Sequence, residues 1–433
     1  MKKWWISLKD KVWLRPAMYS LLAVGLAAAV GYFDIYYGGT IRDMPAIFYT
    51  EIDLAQSILT ALITALLTMT TFTFSTIMVV LTTYASQYSP KTIKNFITDP
   101  LTLRVLGVFM GGFIYSTLSM LFMRDSFSED PVIAGVVGVL IAIICLIFFA
   151  IFIHHVATEI QASRLVERLA NDTDEVTEYY FQFMQKENVS LEHTGENWHP
   201  GETFYQVPAH RYGYVQYVDL DQLAKKAAEH EVKIELNVPL GEYVHKATPL
   251  LTVYVRPERL PEVRDLPLTD SFLIGNERDV RQDPVFAIQK MVEIALRAIS
   301  PGINDPNTAN DSIRHIGRLL GNMSQFPVRP ILMTDQQGQG IVKITLPTFR
   351  DILYKTFFQL RHYGKEDVSV LTAMLESIAF AGENAPRQHL KDLRDIASYV
   401  IEEASLAQMP AMDREWINQK LQAVERITDR GEI

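Results

Sequence analysis

The chain has 433 residues, 48% hydrophobic and 21% charged, with a formal net charge of −10 and a mean hydropathy of +0.08. A single cysteine, Cys145, excludes a disulfide scaffold and any multi-cysteine metal or redox centre. The acidic balance argues against a nucleic-acid binder, and the apolar content points to a membrane protein with a large water-soluble half.

Four stretches carry no charge over a length that matters. Ala17 to Phe33 lies between Arg15 and Asp34, Leu54 to Pro90 between Asp53 and Lys91, Val105 to Met123 between Arg104 and Arg124, and Pro131 to Ile153 between Asp130 and His154. A helix needs about 20 apolar residues to cross the hydrocarbon core. The predicted spans are 16–37, 54–86, 103–123 and 132–155, within a transmembrane domain over 1–160. The second stretch is far longer than one crossing requires, so its helix is expected to protrude from the bilayer.

Orientation follows from the short loops. Lys2, Lys3, Lys9, Lys11 and Arg15 precede the first span, Lys91, Lys94 and Arg104 follow the second, and Arg164 and Arg168 follow the fourth. The intervening loops carry Arg42 and Arg124 against Asp43, Glu51, Asp53, Asp125, Glu129 and Asp130. This pattern predicts a multi-pass membrane protein with both termini cytoplasmic. Trp4, Trp5 and Trp13 at one end of the first span and Tyr32, Tyr36 and Tyr37 at the other read as interfacial belts. Asp34 is expected at the interface rather than buried.

The second span carries the most chemistry. On a helix, Ser57, Thr60, Thr64, Thr68, Thr71 and Ser75 fall on one stripe that resumes at Thr82, with Met78 or Val79 at the gap. Such a stripe can line a wet pathway, with Met78 and Val79 as an apolar constriction. It can equally let helices pack closely, and its hydroxyls can bond back to their own helix. Asp43, Glu51 and Asp53 would form acids at an outer mouth, concentrating cations if repeated around an oligomer. His154 and His155 point about 100° apart on a helix and are not expected to share a metal ion.

Residues 161–197 read as an amphipathic connecting helix, with a break around Gly195 to Gly201. Strand-like text follows at Thr203 to Val207, Gly213 to Asp219, Val232 to Val238 and Pro249 to Tyr254, interrupted by a helix over Leu220 to His230. The pattern Gly213-Tyr-Val-Gln216, Val238-Pro-Leu-Gly-Glu-Tyr-Val-His245 and Pro249-Leu-Leu-Thr-Val253 resembles the half-barrels of biotinyl/lipoyl domains, and that resemblance implies a small barrel-like β-domain over 198–275. No carrier-lysine tripeptide accompanies it. The remainder, 276–433, is predicted to be mainly helical. Asp283-Pro284 and Asp305-Pro306 are helix starts, Val328 to Leu346 is a β-hairpin, and helices are expected near 348–363, 365–381, 386–405 and 411–429. The overall fold class is thus an α-helical membrane protein with four transmembrane helices and a cytoplasmic α+β region.

Several motifs together resemble a bacterial inner-membrane family. They are Phe72-Thr-Phe-Ser-Thr-Ile-Met-Val-Val-Leu81 through Ala85-Ser-Gln-Tyr-Ser-Pro90, Asn95-Phe-Ile-Thr-Asp99, Phe152-Ile-His-His155, Gly213-Tyr-Val-Gln216, Gly275-Asn-Glu-Arg278, Gln282-Asp-Pro284 and Ser300-Pro-Gly-Ile-Asn-Asp-Pro-Asn-Thr-Ala309. The family is that of domain of unknown function 2254, described as predicted membrane proteins. The resemblance covers nearly the whole chain and implies this two-part layout, with no activity attached to it.

The signatures of serine hydrolases, phosphate-binding loops, dinucleotide folds and zinc proteases are absent from the sequence, so no catalytic residue, metal or cofactor is expected. Asn304, Asp305 and Asn307 are candidate ligand-binding oxygens. Arg278, Arg281 and Arg297 could form an anion pocket or pair with nearby acids. The expected role is a homo-oligomeric, channel-like pathway for cations or small solutes, lined by the stripe and gated by the cytoplasmic region. The alternative is a membrane-anchored sensor or scaffold that binds a cytoplasmic ligand or protein. Expected partners are the bilayer and further copies of the chain, with no nucleic acid.

Overall fold

The computed structural model describes residues 13–42, 44–87, 99–123, 131–159, 162–192, 198, 201, 203–404 and 406–429. It divides into two compact units, Met1–Gln161 and Ala162–Ile433.

The first unit contains α1 (Leu14–Ile41), α2 (Ile52–Gln87), α3 (Pro100–Phe122) and α4 (Ala134–Glu159). Among the described residues, four helices are long and apolar enough to cross a membrane: Leu14–Tyr37, Ile52–Thr83, Pro100–Phe122 and Ala134–Thr158. Helix α1 leaves helical geometry at Tyr37, where its apolar stretch ends. The central contact is the α1–α3 seam. A Cβ on Gly107 would press on Tyr19 and the backbone of Pro16, and one on Gly111 would lie 3.3 Å from the Tyr19 carbonyl. Glycines one turn apart let the two backbones approach, which is how helices gain contact where water supplies no driving force. Ala23, Ala27, Val30, Leu59, Tyr115 and Ala134 form the bundle's core.

The second unit opens with α5 (Ala162–Met184), whose apolar face packs on two later helices. A first set of elements follows: β1 (Val189–Leu191), β2 (Phe204–Pro208), β3 (Gly213–Val218), α6 (Leu220–Glu229), β4 (Lys233–Leu236), β5 (Tyr243–Val244), β6 (Pro249–Tyr254), α7 (Leu260–Val263) and β7 (Phe272–Gly275). Next come α8 (Pro284–Ala298), α9 (Pro306–Met323), β8 (Ile331–Thr334), β9 (Gly340–Ile344), α10 (Phe349–Gly364), α11 (Val368–Glu383), α12 (Arg387–Glu402) and α13 (Ala411–Thr428). The helix starts follow from their caps: the Asp283 carboxylate accepts from Phe286 N at 3.0 Å and the Asp305 carboxylate from Thr308 N at 3.2 Å, each followed by proline.

The expected barrel-like β-domain does not form. The strands make two open sheets, one of six strands in the order β1-β8-β9-β4-β6-β2 and one of three in the order β5-β3-β7. The reason lies in β4. It pairs antiparallel with β6 on one side and parallel with β9 on the other, Ile234 opposite Val342. The β8–β9 hairpin, one hundred residues downstream in sequence, thereby extends the sheet sideways where a barrel would have to close. Ile234, Leu251, Val253, Ile331, Met333 and Val342 are buried in the resulting core.

Candidate functional site

The surface of α2 is the leading candidate site. Ala55, Leu59, Leu66, Thr73 and Val80 are buried, and they define the face turned to the bundle. Ser57, Thr60, Thr64, Thr68, Thr71, Ser75 and Thr82 are all exposed. At about 100° per residue the two sets lie on roughly opposite sides of the helix, so the hydroxyl stripe points away from its own bundle. Met78 and Val79 lie on the same outward surface and are 48% and 66% exposed.

Six of the seven hydroxyls, all but Ser75, share one geometry. Ser57 Oγ donates to the Asp53 carbonyl at 2.9 Å, Thr60 Oγ1 to Gln56 at 2.8 Å, Thr64 to Thr60 at 3.2 Å, Thr68 to Thr64 at 2.9 Å, Thr71 to Leu67 at 2.9 Å and Thr82 to Met78 at 2.9 Å. These six protons are spent on the preceding turn of the same helix, and Thr60 Oγ1 also lies 3.7 Å from Met120 Sδ on α3. The oxygen lone pairs are left facing outward as acceptors. Of the outer acids, Glu51 and Asp53 are exposed at the start of α2, where Asp53 complements the positive end of the helix dipole. Asp43, Asp125, Glu129 and Asp130 lie outside the described residues.

Two carboxylates tie the helices together at opposite ends of the bundle. Asp34 of α1 accepts from the backbone N–H groups of Ile133 at 2.9 Å and Ala134 at 3.3 Å, and so caps α4 from another helix. A backbone bridge between Thr50 and Val132 and a hydrogen bond donated by the Tyr115 hydroxyl to the Ala134 carbonyl at 3.0 Å complete that end. At the other end Asp99 caps α3, accepting from Leu101 N and Thr102 N at 3.1 and 2.8 Å, and meets His155 Nε2 at 3.1 Å. Burial alone would raise the Asp99 carboxyl; the His155 ring and the Thr102 N–H outweigh it and hold the group at about 2. The sequence places Asp34 at the interface and expects no metal shared by His154 and His155, without pointing to a carboxylate partner in another helix. The Asp99-Pro100 dipeptide, the same start signal recognised at 283 and 305, could have pointed to the second cap; nothing local links it to His155.

In the second unit, Asn304 is exposed with a φ of 53°, and Asn307 is exposed. The carboxylate of Asp305 is occupied by the backbone and hydroxyl of Thr308. Two of the three arginines of the suggested anion pocket pair with acids: Arg278 with Asp283 at 2.5 Å and Arg281 with Asp279 at 2.8 Å. Gln282, buried, acts as a side-chain rung on β3, accepting from Val218 N at 2.9 Å and donating to Val218 O at 3.2 Å, while its carbonyl accepts from the Tyr180 hydroxyl at 2.9 Å. Beside it lies an apolar cavity of about 40 Å³ bounded by Tyr180, Phe183, Asp283, Phe326 and Leu346, room for a few waters only. An open groove of about 610 Å³ runs between α6 and the β8–β9 turn, lined by Asp221, Lys225, Thr334, Asp335 and Gln337. No group of three or more His, Cys, Asp or Glu side chains suited to a metal ion occurs among the described residues.

Comparison with known proteins finds relatives over most of the chain. An uncharacterized protein of Mycobacterium tuberculosis (strain ATCC 25618 / H37Rv) is 26% identical over 384 residues, covering 87% of this chain and 73% of the relative. An uncharacterized protein of Mycobacterium bovis shows the same identity and coverage. No solved structure gives a significant match. The family described as "Predicted membrane protein (DUF2254)" matches residues 9–379, and with that match spanning most of both units, the chain belongs to this family of membrane proteins.

Proposed function

We propose that the protein is a homo-oligomeric, non-catalytic membrane protein in which α2 lines a channel-like pathway for cations or small solutes. The observation that carries this reading is the outward hydroxyl stripe. Six of its seven hydroxyls commit their protons to the helix's own carbonyls, and their oxygens remain as acceptors on an exposed face. A row made mostly of acceptors, with Ser75 the one hydroxyl whose proton is not spent this way, suits a dehydrating cation better than an anion. A pathway on this face needs a second wall, which a symmetric assembly supplies. The span Ile52–Thr83 has 32 residues, about 48 Å of helix against a core of about 30 Å, enough to carry the lining beyond the bilayer. Met78 and Val79 would be the constriction and Glu51 and Asp53 the acids of the mouth. In this reading both termini and the second unit are on the cytoplasmic side of an inner membrane, and that unit gates the pathway.

Ion flux into proteoliposomes tests it. Flux above the empty-vesicle leak, reduced by Thr71→Leu and Thr68→Val at unchanged oligomer size, supports the pathway. Weakened oligomers with these substitutions would make the stripe a packing seam. The open groove beside α6 favours a second reading, an anchored sensor whose second unit binds a ligand or protein. It is preferred if no flux is found over a range of pH and membrane tension.

A further inference from the structure

One end of the three-stranded sheet carries a feature that neither pathway nor groove uses. In the register of β3 with β5, Gly213 lies opposite Val244 and Tyr214 opposite Tyr243, and Ala209 N donates to the Thr248 carbonyl at 2.8 Å. The segments 210–212 and 245–247 are therefore neighbours at one tip. Ala209 and Val244 anchor the tip in the core. The side chains between them are turned out: His210, Arg211, Tyr212, Tyr243, His245 and Lys246 are all exposed.

Two properties of the tip stand together. The aromatic rings form a surface chain, Tyr212 against His245 at 5.9 Å, His245 against Tyr243 at 5.5 Å and Tyr243 against Tyr214 at 5.0 Å, with Tyr212 59% and Tyr243 46% exposed. The cations are unspent. Among the described residues Arg211 and Lys246 have no carboxylate within ion-pair distance, whereas Arg256, Arg259, Arg314, Arg350 and Arg361 do. The two segments contain no acid; Glu242, also exposed, is the nearest in sequence. On a chain of net charge −10, this is a local patch of the opposite sign.

We propose that this tip is a docking surface for anionic lipid headgroups. Tyrosine rings sit well at a bilayer interface, with the body in the acyl boundary and the hydroxyl in water. Arg and Lys beside them are drawn to a negatively charged leaflet. The second unit begins at Ala162, directly after the fourth candidate span, so a membrane surface is tethered to it at high effective concentration and docking needs little intrinsic affinity. The proposal is independent of whether α2 conducts.

The test uses the full chain in lipid nanodiscs, with Cys145→Ala as background and a single fluorophore on Ala247→Cys, an exposed position of the tip that leaves the rings intact. Discs of phosphatidylcholine are compared with discs that also contain phosphatidylglycerol, and contact is read as quenching by spin-labelled lipid. Quenching that rises in the anionic discs, with the contact equilibrium falling roughly 30-fold in Arg211→Gln/Lys246→Gln, supports the proposal. Equal quenching in both discs, or no response to the double substitution in a protein with unchanged circular dichroism, overturns it. A spectral change caused by an oligonucleotide and not by anionic lipid overturns it in favour of a nucleic-acid surface.

Discussion

Helix α9 contains two glycines one turn apart whose substitution by alanine should act in opposite directions. A Cβ built on Gly317 lies 2.6 Å from Cα and Cβ of Ser377 on α11 and 2.7 Å from its carbonyl oxygen. Ordinary contact begins near 3.4 Å, so the overlap is about 0.8 Å, and it is mainly with backbone, which cannot rotate aside. Overpacking of this kind costs up to about 3 kcal/mol, while alanine regains about 1 kcal/mol of helix propensity over glycine. The net expectation for Gly317→Ala is a loss of about 2 kcal/mol. At Gly321 the nearest atom is Ala381 Cα at 3.5 Å, an ordinary contact, so Gly321→Ala should stabilise by about 0.5–1 kcal/mol. Thermal unfolding of the detergent-purified full chain, followed by the fluorescence of Trp198, which is buried in the same unit, should show Gly317→Ala lowered by roughly 4 °C and Gly321→Ala raised. Equal or same-sign shifts would refute the claim that α9 and α11 meet backbone to backbone at 317.

Gly241 has a φ of +79°, and a Cβ there would overlap the Asp283 carboxylate and the Arg278 guanidinium; Gly241→Ala should cost about 3 kcal/mol or more, through left-handed strain and a disturbed buried pair, measured as a lowered urea midpoint. Asp34→Ala should cost about 1 kcal/mol by uncapping α4, and Asp34→Asn, which still offers an oxygen, should recover most of it in thermal unfolding followed by the helical circular dichroism signal. Glu376 of α11 binds Lys420 at 2.8 Å and Arg314 at 3.4 Å. Burial would raise its carboxyl, but the two cations outweigh that and lower it below the usual 4.5. A depressed acid stabilises the fold above its unfolded value and loses that contribution as pH falls through the folded one. Wild type should therefore exceed Glu376→Gln by up to about 1 kcal/mol at pH 7, with the difference vanishing in acid; a difference that persists below pH 3 would contradict this.

The four membrane helices were legible because their signal is local. Some twenty uncharged residues in succession have few other fates, and the structure finds them at 14–37, 52–83, 100–122 and 134–158. The helix starts at 284 and 306 and the hairpin at 331–344 were equally readable, since capping and turn chemistry act within a few residues. Hydroxyl periodicity marked the stripe on α2, but the direction in which it points depends on which face α3 and α4 cover. The parallel pairing of β4 with β9 joins residues about a hundred positions apart, and no local pattern encodes it. The same holds for Asp34 reaching the start of α4 and for His155 meeting Asp99. What sequence alone determined was therefore every feature whose free energy is set within one helix or turn. Tertiary structure decided which faces are covered, which strands share a sheet and which carboxylates meet which donors, because those terms exist only once distant segments share a surface.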